Sequence, residues 1–280
     1  MKKLLSLLLA TLLFLVLAAC GNSEKEEATD GENGDEPVAI TVGATSVPHA
    51  ELLEQAVPIL AEEGIELTVE TYQEYTFLNE DTDNGTIDAN YFQHIPYFEG
   101  QKEEFGFDIV NLGGIHIEPI GIYSQDITSK DDIPEGTAFI MSRNVPDHGR
   151  ILTLLEKEGL ITLDENVDKQ SATIEDIVDN PLNLEFDVSI DPGFLPELYD
   201  RESNALLAIN TNYALEAGLV PTEDALILED TDSPYVNIIA ARSEDENNGA
   251  LLRLVEVLRS EEIQNFINEE YQGSVIPVTE

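Results

Sequence analysis

The sequence predicts an α/β fold in two lobes, joined by two crossover strands with a cleft between them. Three observations predict it. First, Val38-Ala-Ile-Thr-Val42, a helical run and Ile65 to Tyr72 follow in strand–helix–strand order, the start of a parallel sheet. Second, two Pro-containing extended runs, Ile115 to Ser124 and Ser233 to Arg242, lie far apart in the chain. Third, the block between them is about 110 residues long, enough to fold as its own α/β lobe. A chain that leaves one lobe, builds a second and returns crosses twice. Two crossings make a hinged cleft, suited to closing over a small ligand.

Each element has a local cause. Val38 to Val42 alternates apolar and polar residues and opens the fold as a strand. Pro48 to Glu63 carries Leu52, Leu53, Ala56 and Leu60 at helical spacing, with Gly64 as the stop. Pro58 lies inside that pattern and predicts a kink. Ile65 to Tyr72 is the next strand, with Ile65, Leu67 and Val69 on one face. Ile109 to Tyr123 reads as a long extended segment broken by Gly113-Gly114. Ala138 to Met141 is a short buried strand, and Gly149 to Glu158 a helix with Leu152, Leu154 and Leu155 inside. Thr173 caps a short helix to Val178. Leu184 to Ile190 and Leu206 to Ile209 are strands, and the helix from Thr211 to Ala217 stops at Gly218. Tyr235 to Ala241 is strongly β-prone, and Gly249 to Arg259 and Glu261 to Tyr271 are closing helices.

Composition bounds the function. The 280 residues hold 13 Lys+Arg against 57 Asp+Glu, a formal charge of -44, with 42% hydrophobic residues. The apolar content supports real cores, and the length suggests about two domains at ~150 residues each. A surface this negative repels phosphate backbones and anionic head groups. That argues against nucleic-acid partners and against electrostatic membrane docking. Self-repulsion at this density is relieved in high salt, so the composition reads as adaptation to brine.

The first residues are an export signal. Met1-Lys2-Lys3 is a positive start, and Leu4 to Leu17 is apolar except for Ser6 and Thr11. Leu17-Ala18-Ala19-Cys20 resembles the lipobox of bacterial lipoproteins. That resemblance implies cleavage before Cys20 and a diacylglycerol on its thiol. Cys20 is the only cysteine, so it has no disulfide partner in the chain. The alternative is an ordinary secretory peptide with an incidental cysteine. Gly21 to Pro37 has no large apolar residue and predicts a flexible acidic tether. The division is thus signal 1–19, tether 20–37, lobe 1 from 38–118 and 234–280, and lobe 2 from 119–233.

Catalytic patterns are scarce. The sequence has no G-x-S-x-G, no H-E-x-x-H and no G-x-x-x-x-G-K-[ST]. His49, His94, His116 and His148 have no ligand spacing and no Cys/His cluster points to a metal, so the alternative is a metal site that the fold assembles from them. No cofactor is expected. Tyr91-Phe92-Gln93-His94-Ile95-Pro96-Tyr97-Phe98 is an aromatic cluster, with Tyr72, Tyr75 and Phe77 shortly before it. Core packing with a Pro-rich turn and a ligand wall account for it equally well. Arg150 sits where a helix is predicted to begin, a place that disfavours a cation. Either it pairs with a surface acid, or an anion such as a carboxylate is meant to arrive there.

Several runs then fall into one pattern. They are Val42-Gly-Ala-Thr-Ser-Val-Pro-His-Ala50, Ile87-Asp-Ala-Asn-Tyr-Phe-Gln-His-Ile-Pro-Tyr97, Glu118-Pro-Ile-Gly-Ile-Tyr-Ser124, Ile209-Asn-Thr-Asn-Tyr-Ala214 and Ser233-Pro-Tyr-Val-Asn-Ile-Ile239. With the lipobox they closely resemble the methionine-binding lipoprotein family of NlpA/MetQ type, from about Val38 to the C-terminus. The resemblance implies a two-lobed, periplasmic-binding-protein-like α/β fold. It implies capture of methionine and delivery to an ABC permease driven by a cytoplasmic ATPase, with no enzymatic activity. It implies Tyr75, Phe92, His94 and Tyr97 around the methionine side chain, Arg150 on the carboxylate, and Asn210 and Asn237 on the ligand's backbone groups. It places the protein at the outer face of the cell membrane, held there only by lipid.

The chain also departs from the family pattern. Ser142-Arg-Asn-Val-Pro-Asp-His-Gly-Arg150 stands where P-N-D-P-T-N-x-G-R is usual, Glu74-Tyr-Thr-Phe-Leu-Asn79 replaces D-Y-x-x-P-N, and Pro192-Gly193-Phe194 replaces a smaller stretch. These changes border the expected cleft. A methionine-containing dipeptide, another apolar amino acid, or a surface lipoprotein without transport are the other readings.

Overall fold

The computed structural model describes residues 37–231 and 233–278. The signal segment, Cys20 and the tether up to residue 36 lie outside the described residues.

The chain opens with β1 (Val38–Thr45), α1 (Glu51–Glu62) and β2 (Ile65–Tyr72). β1 and β2 pair in parallel, with Val38 opposite Ile65. Between them α1 buries Leu52, Leu53, Ala56 and Leu60, the leucines each contributing about 1.5–3 kcal/mol. α2 (Thr76–Asp83), β3 (Ala89–His94), α3 (Ile95–Phe105) and β4 (Ile109–Ile117) follow. β5 (Gly121–Tyr123), β6 (Ala138–Ser142) and α4 (Val145–Lys157) begin the next part. It continues through β7 (Thr162–Leu163), β8 (Ile177–Asp179), β9 (Glu185–Ile190), α5 (Leu195–Arg201) and β10 (Leu206–Ile209). α6 (Thr211–Glu216), α7 (Pro221–Asp224) and β11 (Ile227–Leu228) complete it. β12 (Val236–Arg242), α8 (Gly249–Leu258), α9 (Glu261–Tyr271) and β13 (Ile276–Pro277) close the chain.

These strands form a six-stranded sheet, β13-β4-β12-β3-β1-β2, a five-stranded sheet, β11-β5-β10-β6-β9, and a β7-β8 pair. Each large sheet has its own core. Ile40, Val42, Leu53, Leu254 and Ile263 belong to the first, and Ile122, Phe139, Leu152, Leu155 and Leu206 to the second. The chain leaves the first sheet after β4 and returns at β12, so the two-lobed α/β expectation holds. Among the described residues no helix is long and apolar enough to cross a membrane.

Local expectations differ from the structure at five places. α1 starts at Glu51, because Val47 is extended before Pro48. It then continues through Pro58 as one helix. The extended run 109–123 breaks at Glu118-Pro119-Ile120, while Gly113 and Gly114 stay in β4 at irregular pairings with β12. α4 starts at Val145 with Pro146 in its first turn, so Arg150 lies in the second turn and not at the helix start. The run after Thr173 is a single 3-10 turn, Ile174–Asp176, leading into β8. Asp176 accepts from the Thr173 backbone N–H at 2.8 Å, which closes that turn early.

Candidate functional site

Tyr75, Phe92, His94, Tyr97, Arg150, Asn210 and Asn237 all line one cavity between the lobes. Gln93, Glu118, Asp147, Thr211 and Asn212 complete its wall. Phe92, His94 and Asn237 come from the first sheet, Arg150 from α4, and Asn210 from the junction of β10 and α6. The cavity is about 20 Å³, space for about one water. A larger guest requires the walls to part.

The aromatic wall is a mutual cluster. The Tyr75 ring centroid lies 5.4 Å from Phe92, 5.9 Å from Tyr97 and 5.0 Å from Tyr213. Phe92 and Tyr97 meet edge-on at 5.8 Å. These are favourable ring geometries. So the cluster is core packing on one side and cavity wall on the other. His94 ends β3 and caps α3, with Nδ1 accepting from the Tyr97 N–H at 3.1 Å. Nε2 then donates to Asp147 Oδ1 at 3.0 Å across the cleft. Tyr75 donates to Asn212 Oδ1 at 2.5 Å and Tyr213 to the Gln73 carbonyl at 3.2 Å, so further bonds join the lobes.

Arg150 is buried and held on several sides. Nη2 donates to the Glu118 carbonyl at 2.9 Å and to Glu229, and the guanidinium lies over the Tyr235 ring. Burial alone would lower its pKa, but the Glu229 charge and hydrogen bond raise it. Its Nε is buried without a hydrogen-bond partner. Asn210 donates from Nδ2 to Asp147 Oδ2 at 3.3 Å, leaving its buried Oδ1 equally unpartnered. Burial alone would raise Asp147. The hydrogen bond from His94, with the His94 and Arg150 charges, holds it below the usual carboxylate range.

Behind the cavity the fold joins residues that sequence spacing does not connect. Glu118 Oε1 lies 2.7 Å from His116 Nε2 and 3.1 Å from His49 Nε2. His49 Nδ1 faces the Thr45 hydroxyl at 2.7 Å and His116 Nδ1 faces the Tyr91 hydroxyl. Every ring nitrogen therefore has a hydrogen-bond partner, and neutral imidazoles complete the network. Burial lowers the His49 pKa to about 4 and the His116 pKa to about 3, and raises that of Glu118. These three could offer ligand atoms to a metal, but as they stand they form a complete hydrogen-bonded cluster beside the first crossover. Glu118 Oε2 also accepts from the Asn212 N–H at 3.1 Å, so one acid ties both lobes to the crossover. Glu229 accepts from the Ile120 N–H at 3.1 Å and links the other crossover.

A two-lobed α/β fold with a polar, aromatic-walled cleft at its crossovers is that of a substrate-binding protein. The chain belongs to the NlpA lipoprotein family, whose model matches residues 40–279. It is 42% identical over the full length of both chains to the methionine-binding lipoprotein MetQ of Bacillus subtilis. A crystal structure of a putative methionine-binding lipoprotein from Bacillus subtilis superposes with a TM-score of 0.83 at 43% identity, covering 86% of this chain and 98% of that one. A nutrient-binding protein from Burkholderia cenocepacia, solved bound to methionine, gives 0.79 at 36% identity, covering 85% and 99%.

Proposed function

We propose that this protein captures methionine outside the cytoplasm and hands it to an ABC permease powered by a cytoplasmic ATPase. It acts as a binding protein and not as an enzyme. One observation carries the reading. The cavity wall holds a buried donor without a partner, Arg150 Nε, and a buried acceptor without a partner, Asn210 Oδ1. An unpaired buried polar group costs about 1–3 kcal/mol. An amino-acid carboxylate and ammonium supply the two missing partners together. The names of the relatives point to the same ligand.

In this reading Arg150 grips the carboxylate, and Asn210 and Asn237 hold the backbone polar groups. Tyr75, Phe92, His94 and Tyr97 surround the thioether. Burial of that chain contributes about 1.5–3 kcal/mol, and each sulfur–ring contact about 0.3–1.5 kcal/mol. The lobes are 38–118 with 234–280, and 119–233. They open about the Glu118 and Glu229 crossovers to admit the ligand. Signal 1–19 is removed, Cys20 carries the lipid, and the acidic tether holds the domain at the outer face of the cell membrane.

Calorimetric titration of the purified protein with L-methionine in high salt tests this. Saturable binding that Arg150→Ala abolishes is expected. Retention of full affinity in that variant rules out the site. Mass spectrometry of the molecule that co-purifies checks the ligand independently.

A further inference from the structure

We infer that Asp147 reads the ammonium group, restricting the cleft to zwitterionic α-amino acids and rejecting their anionic α-hydroxy counterparts. This rests on the methionine-binding reading above and adds to it a residue that selects among ligands with the same side chain.

The inference follows from how the cleft charges are matched. Arg150 already has Glu229 as its counter-ion. Asp147 has only a shared one: Arg150 lies farther from it than from Glu229, and the His94 ring is a cation only when protonated. Its hydrogen-bond partners are the His94 imidazole and the Asn210 amide, and Arg150 Nη1 stays 4.0 Å away. Asp147 is only 1% exposed, so bulk water screens its charge little. A carboxylate offers about four lone-pair sites, and these partners use half of them.

Asn210 fixes the polarity of the same spot. Its Nδ2 is committed to Asp147, so its unpartnered atom is the oxygen. A carboxylate and a fixed amide oxygen on one cavity wall form a place for a cationic donor. A zwitterion puts its ammonium there and its carboxylate toward Arg150, and the cleft's net charge is unchanged. An α-hydroxy acid of the same shape brings a carboxylate alone. It adds a negative charge near Asp147 and Glu229 at low dielectric, and it brings Asp147 no cation of its own.

The test compares L-methionine with 2-hydroxy-4-(methylthio)butanoate by calorimetry on the full protein and on Asp147→Asn. Wild type is expected to prefer methionine by about 100-fold or more. Asp147→Asn, nearly isosteric, is expected to shrink that preference at least tenfold, with the hydroxy acid binding no worse than before. A wild-type preference under about tenfold overturns the inference without any variant. So does an unchanged preference in Asp147→Asn, with Asp147→Ser as the second variant should the first not fold. Failure of wild type to bind methionine at all would instead overturn the functional reading beneath it.

Discussion

The Arg150 guanidinium carbon lies 4.4 Å from the centroid of the Tyr235 ring, so a cation on α4 rests on an aromatic plane just before β12. The planar ion suits that face, and its fork still reaches Glu118 and Glu229. A lysine keeps the charge but loses both the stacking and the fork. Arg150→Lys is therefore expected to weaken methionine binding by about 10–100-fold with the fold intact. Tyr235→Phe keeps the ring and should cost less than threefold, whereas Tyr235→Ala should cost about 0.5–2 kcal/mol. Equal affinities for Tyr235→Phe and Tyr235→Ala would remove the ring from the account.

Close packing around α4 sets a second expectation. A Cβ on Gly149 would lie 2.4 Å from the Gln170 carbonyl oxygen and 2.5 Å from that of Lys169. Both are backbone atoms, so neither can swing away. Gly149→Ala is expected to destabilise by about 1–3 kcal/mol, overriding the helix preference of alanine. Gly249 begins α8 with nothing within 4 Å of the same position. Gly249→Ala should stabilise by about 0.4–1 kcal/mol. Urea unfolding of the two variants separates steric conflict from propensity.

Much of this fold is legible from spacing alone. Ile65–Tyr72, Leu206–Ile209 and Glu261–Tyr271 have in the structure the bounds that periodicity predicts. Nothing comparable marks α2, where the buried residues Leu78, Asn79 and Thr82 are mostly polar. α3 is masked by Pro96, Gly100 and an unusual histidine cap, so its start reads as a turn. Glu118 and Asp147 fall in runs that the family resemblance picks out, but neither they nor Glu229 stand out by composition or spacing among 57 acids. Only burial, which long-range folding creates, separates them from the solvated majority.

Surface charge sets a third expectation. A formal charge of -44 repels itself most at low salt. Raising salt from 0.1 M to 1 M shortens the Debye length from about 10 Å to 3 Å. Exposed pairs such as Arg253–Glu63 lose a little, typically under about 1 kcal/mol each. Net stability is expected to rise, with Tm increasing by about 5 °C or more, since 1 kcal/mol is worth about 2–4 °C at this size. Potassium chloride should do this well beyond sucrose of equal osmolality. Equal effects would point to solute exclusion and not to screening.

The buried histidines around Glu118 set the acid limit. His49 and His116 are buried and neutral, with pKa values lowered to about 4 and about 3 against an ordinary 6.5. Between those values the unfolded chain binds more protons than the folded one, so stability falls as pH falls. The loss begins near pH 6.5 and is complete for each histidine only below its folded pKa. From pH 7 to 5 it amounts to about 2 kcal/mol per histidine. Glu118 works against it, because its raised pKa makes the folded state hold a proton more tightly. Two histidines against one acid leave a net fall. Urea midpoints at pH 7, 6 and 5 should decline, and His49→Gln should flatten the decline by roughly half. A pH-independent midpoint across that range would mean that these imidazoles exchange protons with solvent while folded, and that burial does not hold them neutral.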